Sequence, residues 1–554
     1  MEKVAAPDDR FVGLCRCQVF RRRLHHAQAE YGADHQQDAE PGPAGAGGRV
    51  QGAGRARSGE VGRSGPSAGL PANPQAAVFW PSRERRATRR PCRLRAGAMR
   101  RRPKFSLRSP RLRIYLHMQI IQRSIPGGRA MDGLESANAA ARIAGPSSDF
   151  SRIPYHLYTD RSVFDLEQER IFRGPTWSYL GFETEVREPG DYITGYVGTT
   201  PYVLTRDKDG ALHAFVNRCA HRGVAVVRDL RGNARNFTCI YHQWCYALNG
   251  DLIGVPMMKG MRGVGGYPDD FSVDGHGLRK LRVETLSGIV FGTFSDETPP
   301  LEDYLGPAIC ARLKMVCSRP IKVTGYHRHT MRANWKLFVE NTRDMYHAPM
   351  LHPFVSVFEI ADAAMQATME MSHRGGLNSL LSGYRPTDAS GARPPPRQGK
   401  RIPLEEPDVA IGVPEFPDGL AISIISIFPS CLFTLPGNTF SVRQIRPKSV
   451  NEVETVYTWY AFEDDDDEMI EQRRMQNNMF GPAGYVAMED AEAMELIQQR
   501  ISDAALEGRS VLEFGGRGTE DRIDHMLSEG ALRAFWKGYC DIMDIPVSDG
   551  QAAA

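Results

Sequence analysis

The chain has 554 residues, of which 41% are apolar and 24% are charged, and its formal net charge is +3. This composition is typical of a soluble globular protein with two or three domains. The charge is unevenly distributed: residues 1–130 hold 26 Lys and Arg against 9 Asp and Glu, a net of +17, and the rest holds 43 against 57, a net of −14. A nucleic-acid-binding function would therefore have to rest on the first 130 residues.

The ten cysteines do not suggest a disulfide framework in a chain of this length. No signal peptide with an apolar core and a small-residue cleavage site is visible, so a reducing, cytoplasmic location is expected. The longest apolar run, residues 420–435, is interrupted by Pro429, and it predicts buried strands and not a membrane span. We therefore expect neither a membrane nor a nucleic acid as partner.

Residues 1–130 combine Gly/Pro-rich and Arg-rich runs with little helix or strand periodicity. Such a segment buries too little apolar surface to offset its chain entropy, and it is predicted to be disordered. One hypothesis is that it is translated sequence upstream of the natural start, with Met131 as the first residue. A targeting peptide and a nucleic-acid-binding arm are the alternatives.

The ordered part of the chain is predicted to be of the α+β class. Asp160 is a candidate N-cap in a helical segment at 131–175. Short alternating runs separated by Asp-Gly and Asn-Gly turns predict a small antiparallel β domain at 176–294. It precedes a larger domain at 295–545, in which an antiparallel sheet is flanked by helices, and residues 546–554 form a C-terminal tail.

Two short motifs in the predicted β domain each place a histidine shortly after a cysteine: Cys219-Ala-His221 and Cys239-Ile-Tyr-His242. Two thiolates and two imidazoles in matched pairs indicate a metal site, either structural zinc or a Rieske [2Fe–2S] cluster. Zinc modules usually open with two cysteines, whereas here each motif can give its thiolate to one iron and its imidazole to the other. Trp244 is expected to shield the site from water.

A second group of metal-binding side chains lies between Glu340 and His352. His347 and His352 are five residues apart, and a regular α-helix would turn them about 140° away from each other. Pro349 between them predicts a kink or a π-type bulge that brings both imidazoles to one point. Two unrelated surface histidines beside a helix end are the alternative.

Taken together, the motifs resemble those of the large (α) subunits of Rieske non-haem iron aromatic-ring-hydroxylating oxygenases. The resemblance spans Ser151 to Asp544. The family patterns Cys-x-His-Arg-Gly, Cys-x-x-His-x-Trp and Asp-x-x-His-x4-His are matched at Cys219, His221, Cys239, His242, Asp344, His347 and His352. Segments at 242–244, 302–307, 443–449 and 534–537 are similar to the branch that acts on carboxylated rings, such as terephthalate, anthranilate and salicylate.

The resemblance implies a role for each site residue. His347, His352 and a distant carboxylate would hold a mononuclear Fe(II), and the Gly-Pro-Ala-Gly segment at 481–484 points to Asp490 as that carboxylate, with Glu489 as the runner-up. An ordinary helix N-cap is the alternative for this segment. Asp344 would bridge a cluster histidine of one subunit to an iron-ligating histidine of the next, and Asn341 is included among the catalytic residues.

The implied activity is cis-dihydroxylation of an anthranilate- or terephthalate-like ring with O2 and two electrons. Monohydroxylation of a salicylate-like acid is the alternative, and a Rieske electron carrier without catalysis is a distant one. Arg443 is the candidate cation for the substrate carboxylate, with a surface salt bridge as the alternative. No nicotinamide or flavin motif is visible, so NADH would be used through a partner reductase. A ferredoxin, a small β subunit and a homotrimer or α3β3 assembly are further expected partners.

Overall fold

A computed structural model of the protein describes residues 142–353, 366–371, 376–384, 409, 412–416, 419–503 and 507–548. The expectations for residues 1–130 and for most of the C-terminal tail lie outside these residues. No helix within the described ranges has both the length and the apolar character needed to cross a bilayer.

The first part of the described chain combines a short helical segment with an antiparallel β domain. Asp160 caps the helical segment as expected, since its side chain accepts a hydrogen bond from the Ser162 N–H at 2.7 Å. A π-helical turn at Gln168–Phe172 ends this segment. The helices and strands are α1 His156–Thr159, α2 Arg161–Glu167, β1 Arg152–Pro154, β2 Ser178–Phe182, β3 Asp191–Val197, β4 Thr200–Arg206, β5 Leu212–Val216, β6 Arg231–Asn233, β7 Phe237–Thr238, β8 Cys245–Tyr246, β9 Leu252–Gly254, β10 Lys280–Leu286 and β11 Ile289–Thr293.

Seven of these strands form an antiparallel sheet in the order β2-β11-β10-β5-β4-β3-β6. A separate three-stranded sheet, β7-β8-β9, lies in the connection between β6 and β10. Every hydrogen-bonded pair within both sheets is antiparallel, as the hairpin turns predict. The strand β11 ends at Thr293, one residue before the predicted domain boundary at 294.

The second part is built on an eight-stranded antiparallel sheet in the order β12-β18-β17-β16-β15-β14-β13-β20. Residues 420–435 form two adjacent buried strands of this sheet, as predicted. The elements are α3 Leu301–Leu305, α4 Pro307–Val316, β12 Ile321–Met331, α5 Trp335–Asn341, α6 His347–Leu351, β13 Gln366–Glu370, β14 Ser379–Tyr384, β15 Leu420–Ile427, β16 Cys431–Pro436, β17 Ser441–Ser449, β18 Glu452–Phe462, α7 Asp467–Phe480, α8 Tyr485–Ile501, β19 Arg509–Val511, β20 Arg522–Ile523 and α9 Gly530–Met543. The strand β19 pairs with β1.

The two sheets share a hydrophobic core. Tyr179 and Phe182 of β2 lie edge-on against Phe433 of β16, with ring centroids 6.2 and 6.4 Å apart. The Gln444 side-chain amide donates to the Tyr179 carbonyl oxygen at 2.9 Å. Both contacts use one face of the large sheet, because side chains alternate between the faces of a strand.

The opposite face of the large sheet lies under the helices that carry the candidate catalytic residues. Helix α5 packs against β17, and helix α8 packs against both α5 and β12. Arg443 of β17 lies directly across from Tyr457 of β18 on this face. The cluster motifs and the catalytic motifs therefore occupy separate layers of the molecule.

Candidate metal centres and active site

The two cysteine–histidine motifs form two neighbouring turns. In the first, the Gly223 N–H donates to the Cys219 carbonyl oxygen at 2.9 Å and closes a tight turn around His221. Gly223 has a φ of +77°, which glycine adopts without steric cost. The second turn, with Cys239 and His242, joins β7 to β8. The centroids of the two imidazole rings are 4.5 Å apart, so the turns bring both motifs to one place.

The thiols of this site are enclosed by aromatic side chains. Cys219 and Cys239 are only 3% and 2% exposed. Trp244 stacks on the ring of His221 with an interplanar angle of 7° and a centroid distance of 4.9 Å, in the shielding position that the sequence predicts. The Tyr246 hydroxyl lies 3.2 Å from Cys219 Sγ. The site thus has a dry thiol side and a more open imidazole side.

These four side chains fit a two-iron cluster with mixed ligands. A metal ligand must be a thiolate or a neutral imidazole. Burial lowers the pKa of His221, and the nearby His242 and Arg222 lower it further, which favours the neutral ring. When thiolates bind iron, the Tyr246 hydroxyl is placed to donate a hydrogen bond to Cys219 Sγ, and such bonds to cluster sulfur tune the reduction potential.

The stretch from Glu340 to His352 is not one kinked helix. Helix α5 ends at Asn341, and the five-residue helix α6 begins at His347. Pro349 is the third residue of α6, where its missing N–H has no intrahelical partner to lose. His352 follows the end of α6 with a non-helical φ of −105° and ψ of 83°. The predicted kink or π-type bulge is therefore wrong, because the short helix ends before the second imidazole.

His347, His352 and Asp490 each direct one ligand atom towards the same point. Their ligand atoms all lie within 4.8 Å of one another. Asp490 Oδ1 is 3.4 Å from His347 Nε2 and 3.2 Å from His352 Nε2. Within the described ranges this is the one group of three such residues. Two imidazoles and a carboxylate on one side of a metal are the facial triad of non-haem Fe(II) oxygenases.

The charges in this group also fit a cation. Burial raises the pKa of Asp490, but hydrogen bonds from His347 and His352 outweigh burial and hold that pKa below its ordinary value. Burial lowers the pKa of His352, but its bonds to Asp490 and Glu489 dominate and raise that pKa to about 9. The proton on His352 Nε2 stands where a metal ion would bind, and metal binding would release it.

Glu489 and Asp490 contact opposite nitrogens of the His352 ring. Glu489 Oε2 lies 3.0 Å from Nδ1, whereas Asp490 Oδ1 lies 3.2 Å from Nε2. A carboxylate at the nitrogen away from the metal fixes the tautomer and the orientation of a ligating histidine. The geometry therefore favours Asp490 over Glu489 as the ligand. The segment 481–484 ends at Gly484, the N-cap of helix α8, as the alternative expected, and both acids lie within the helix, more than one turn beyond that cap.

Asp344 lies in the turn between α5 and α6, beside the triad. Its Oδ2 is 3.7 Å from His347 Nδ1, and its buried Oδ1 has no hydrogen-bond partner among the described residues. Burial raises the pKa of Asp344 against the opposing effect of His347. Asn341 donates from Nδ2 to Asp490 Oδ1 at 3.0 Å. Asn341 thus supports the carboxylate of the triad, and Asp344 supports an imidazole.

Arg443 lies on the helix-covered face of the large sheet. Its guanidinium carbon is 5.0 Å from the centroid of the Tyr457 ring, and one Nη donates to the Phe480 carbonyl oxygen at 3.4 Å. Its buried Nε has no partner among the described residues. Burial raises the pKa of Tyr457, while Arg443 lowers it and Asp490 raises it, so both charges act on one phenol.

Two contributors were missed or misassigned in the sequence. Tyr246 lies seven residues beyond Cys239, and only its hydrogen bond to Cys219, 27 residues away, reveals it. The sequence predicts Glu489 only as an alternative to Asp490 as the iron ligand. Its orienting contact with His352 follows from the direction in which the imidazole ring faces. Adjacent acids on a helix point about 100° apart, and this signal separates a ligand from its neighbour.

Comparison with known proteins decides what these centres are. A family model described as "Rieske [2Fe-2S] domain" matches residues 176–268, and one described as "Ring hydroxylating alpha subunit (catalytic domain)" matches residues 319–545. Anthranilate 1,2-dioxygenase large subunit of Burkholderia cepacia is 41% identical over 409 residues, which cover 73% of this chain and 96% of that protein. The chain belongs to the Rieske ring-hydroxylating oxygenase α subunits. The zinc alternative for the cysteine–histidine motifs is thereby excluded.

Other α subunits of the family match over a similar length. Terephthalate 1,2-dioxygenase, terminal oxygenase component subunit alpha 2, of Comamonas sp. is 38% identical over 70% of this chain and 94% of its own. The large oxygenase component of salicylate 5-hydroxylase of Ralstonia sp. is 35% identical over 72% and 96%. Naphthalene 1,2-dioxygenase of Rhodococcus sp. shares the fold, with a TM-score of 0.60 at 24% identity over 74% of this chain and 97% of that one.

Membership of this family defines the cofactors. The protein is an oxidoreductase that uses one Rieske [2Fe–2S] cluster and one mononuclear iron, with electrons supplied by a reductase, as is typical of the family. The predicted α+β arrangement, with the Rieske domain ahead of the catalytic domain, is confirmed. A Rieske electron carrier without a catalytic domain is excluded by the match over residues 319–545.

Proposed function

We propose that this oxygenase α subunit cis-dihydroxylates a carboxylated aromatic ring. The observation that carries the proposal is Arg443, an arginine with an unpartnered Nε on the same face of the sheet as the iron triad. A charged arginine with a buried donor left unused is suited to a carboxylate. The similarity to oxygenases named for anthranilate, terephthalate and salicylate supports the same substrate class.

We further propose that Cys219, His221, Cys239 and His242 hold the cluster and that His347, His352 and Asp490 hold the iron. An iron ion held by these three residues would supply the chemistry of O2 activation. Addition of both oxygen atoms to the ring consumes two electrons and two protons. The chain's own contribution is to hold the ligands rigidly: Asn341 fixes Asp490, and Glu489 fixes His352.

The role proposed for Asp344 is to pass electrons between subunits. Its Oδ2 faces His347, and its buried Oδ1 is available to a partner group that the described residues do not supply. A cluster histidine of a neighbouring subunit would complete this contact, so the functional unit is a trimer, with or without a small β subunit. The proposal includes a reductase, with or without a ferredoxin, and a cytoplasmic location.

The domain division proposed from the sequence accompanies this function. We propose a helical segment at 131–175, of which 142–175 are described, followed by a cluster domain at 176–294 and a catalytic domain at 295–545. The seven-stranded sheet between Ser178 and Thr293 and the eight-stranded sheet that begins at Ile321 support these limits. The hypothesis that the natural chain begins at Met131 stays a prediction.

Monohydroxylation of a salicylate-like acid is the second candidate function, since the similarity extends to salicylate 5-hydroxylase at 35% identity. Turnover of anthranilate, benzoate, terephthalate and salicylate under 18O2 separates the two. Two labelled atoms in the product are expected for the proposed dioxygenation, and one labelled atom would establish the second candidate. Conversion of unsubstituted arenes in preference to all four acids would contradict the substrate class.

A further inference from the structure

A second buried polar network lies beside the iron site and takes no part in holding either metal centre. Its charged members are Glu167, Lys336 and Glu340, of which the first two are completely buried and the third is 9% exposed. Lys336 Nζ pairs with Glu167 Oε1, and its charge also acts on Glu340. Two carboxyl groups thus face one ammonium group inside the protein core.

Four aromatic side chains donate hydrogen bonds to these two carboxylates. Glu340 Oε1 accepts from the Tyr158 hydroxyl at 2.7 Å and from Trp536 Nε1 at 2.5 Å. Glu167 accepts from the Tyr539 hydroxyl at 2.6 Å and from Trp335 Nε1 at 2.7 Å. The Trp536 ring lies 5.3 Å from Tyr158 and 5.0 Å from Tyr539, centroid to centroid.

Elsewhere in the described residues, aromatic rings donate to backbone carbonyls as well as to carboxylates such as Glu185, which accepts from the Tyr326 hydroxyl at 2.6 Å. Buried tryptophan and tyrosine need a hydrogen-bond partner, and a backbone carbonyl satisfies that need. Trp177 donates to the Pro299 carbonyl oxygen at 2.9 Å, and the Tyr304 hydroxyl donates to that of Phe428 at 2.5 Å. A buried anion is far more costly than a carbonyl unless it is paired. At Glu167 and Glu340, two carboxylates face one ammonium group, so the rings bonded to them lie in a charged environment that a backbone carbonyl would not provide.

The chemical consequence of the carboxylates is easier one-electron oxidation of the rings. Removing an electron from a buried indole creates a cation, which a low-dielectric interior disfavours strongly. A hydrogen-bonded carboxylate lowers this cost because it attracts the positive charge and can accept the N–H proton. Trp536 and Glu340 are in direct contact for this transfer.

The network also reaches the iron triad through adjacent residues. Glu340 is followed in α5 by Asn341, whose Nδ2 is 3.0 Å from Asp490 Oδ1. The Glu340 carbonyl oxygen accepts the Asp344 N–H at 2.9 Å. Trp536 is thus separated from the triad by one carboxylate, one peptide unit and one amide side chain.

We infer that Trp536 is an internal electron donor that protects the iron site when O2 is reduced there without substrate. The inference rests on the proposed iron site at His347, His352 and Asp490. One electron leaves the indole for the oxidising centre, and the Nε1 proton moves to Glu340, leaving a neutral indolyl radical. Tyr539 then restores Trp536 by giving it an electron, while the Tyr539 proton moves to Glu167 and Glu340 returns its proton to the indole. An electron from the reductase later reduces the tyrosyl radical, and Glu167 returns its proton to the Tyr539 hydroxyl.

The test uses the holoenzyme with both metals loaded, reduced anaerobically with dithionite, freed of excess reductant and then mixed with O2 without substrate. Freeze-quench electron paramagnetic resonance is expected to detect an indolyl or tyrosyl radical. Peptide mass spectrometry after repeated cycles is expected to find severalfold more oxidation at Trp536 than at Trp177, an equally buried indole that donates to a carbonyl.

Two variants with a matched control sharpen this experiment. Trp536→Phe should abolish the indolyl signal, and Glu340→Gln, which retains an acceptor oxygen but is a much weaker base, should reduce oxidation of Trp536 severalfold. Trp177→Phe should change neither. Equal oxidation of Trp536 and Trp177, or an unchanged radical in both Trp536→Phe and Glu340→Gln, would overturn the inference. If iron and product formation are normal in that case, the proposed function stands alone; if the loaded protein binds no mononuclear iron, both are overturned.

Discussion

The two metal centres differ in how the chain builds them. The four proposed cluster ligands lie within 24 positions, on two turns of one small β domain. The triad joins a short helix at 347–351 to Asp490, which is 138 residues beyond His352 and lies on a different helix. The cluster site is thus closed locally by turn hydrogen bonds, whereas the iron site depends on how α5, α6 and α8 pack. A local site tolerates changes in distant packing that a dispersed site does not.

Removal of the distant carboxylate of Asp490 should have the largest effect, and it should affect the iron site but not the cluster site. Asp490→Ala deletes one of the three proposed iron ligands, so loss of the mononuclear iron and of all oxygenase activity is expected, while the cluster absorbance stays unchanged. The measured iron content should fall from three irons per chain to two. Glu489→Gln is the matched control, and it should weaken iron affinity by about 10–100-fold without abolishing it. Iron loss in Glu489→Gln with retention in Asp490→Ala would reverse the two assignments.

Asp344→Asn tests whether the two centres communicate through one side chain. The amide has the size of the carboxylate but no charge, so both metals should remain bound while turnover falls by about 100-fold or more. Single-turnover stopped-flow absorbance would follow oxidation of the reduced cluster, which is expected to slow in parallel. Thr342→Ser, a conservative change in the same turn, is the control. Wild-type rates of cluster oxidation in Asp344→Asn would refute the bridging role.

Arg443→Gln should affect substrate binding and neither metal centre. A charge-assisted hydrogen bond to a carboxylate contributes about 1.5–3 kcal/mol, so KM for the preferred aromatic acid should rise by about 10–100-fold with kcat largely kept. Arg443→Lys should recover part of the loss, because an ammonium keeps the charge but not the planar fork. An equal rise of KM for the acid and for its uncharged amide analogue would argue against recognition of a carboxylate.

The smallest effect on activity is expected for Glu340→Gln, which should instead change how the free energy of unfolding depends on pH. Burial raises the pKa of this carboxyl from 4.5 to about 7. The folded protein therefore holds this proton more tightly than the unfolded chain, so the contribution of Glu340 to stability is fully present below pH 4.5 and is lost as the pH rises through 7. The loss is about 3 kcal/mol, and Glu340→Gln should remove it. Urea unfolding of the wild type and of Glu340→Gln from about pH 5 to pH 8 would test this. An equal pH dependence of the unfolding free energy in the two proteins would contradict it.

Much of the fold was predictable because its signals are local. The Asp160 cap, the helix Gly530–Met543 and the antiparallel strands follow from caps, periodicity and turn residues. The four proposed cluster ligands could be predicted for the same reason, because they lie in two short motifs. The course of the chain between His347 and His352 was not, because a proline in the first turn of a short helix and a proline that kinks a longer one look alike in sequence. The Glu340 and Glu167 network was also invisible, since its partners are up to 372 residues apart.

Strand β17 has a consequence for how this enzyme can change. Arg443 and Gln444 are neighbours in sequence, yet Arg443 faces Tyr457 and the catalytic layer, while Gln444 binds the Tyr179 carbonyl of the cluster domain. The residue proposed to bind the substrate carboxylate and a residue that joins the two sheets therefore lie on opposite faces of one strand. Substitutions on the face of β17 that carries Arg443 can change which substrate is bound and leave the contact between the domains intact. The substrate range could therefore diversify rapidly without loss of assembly.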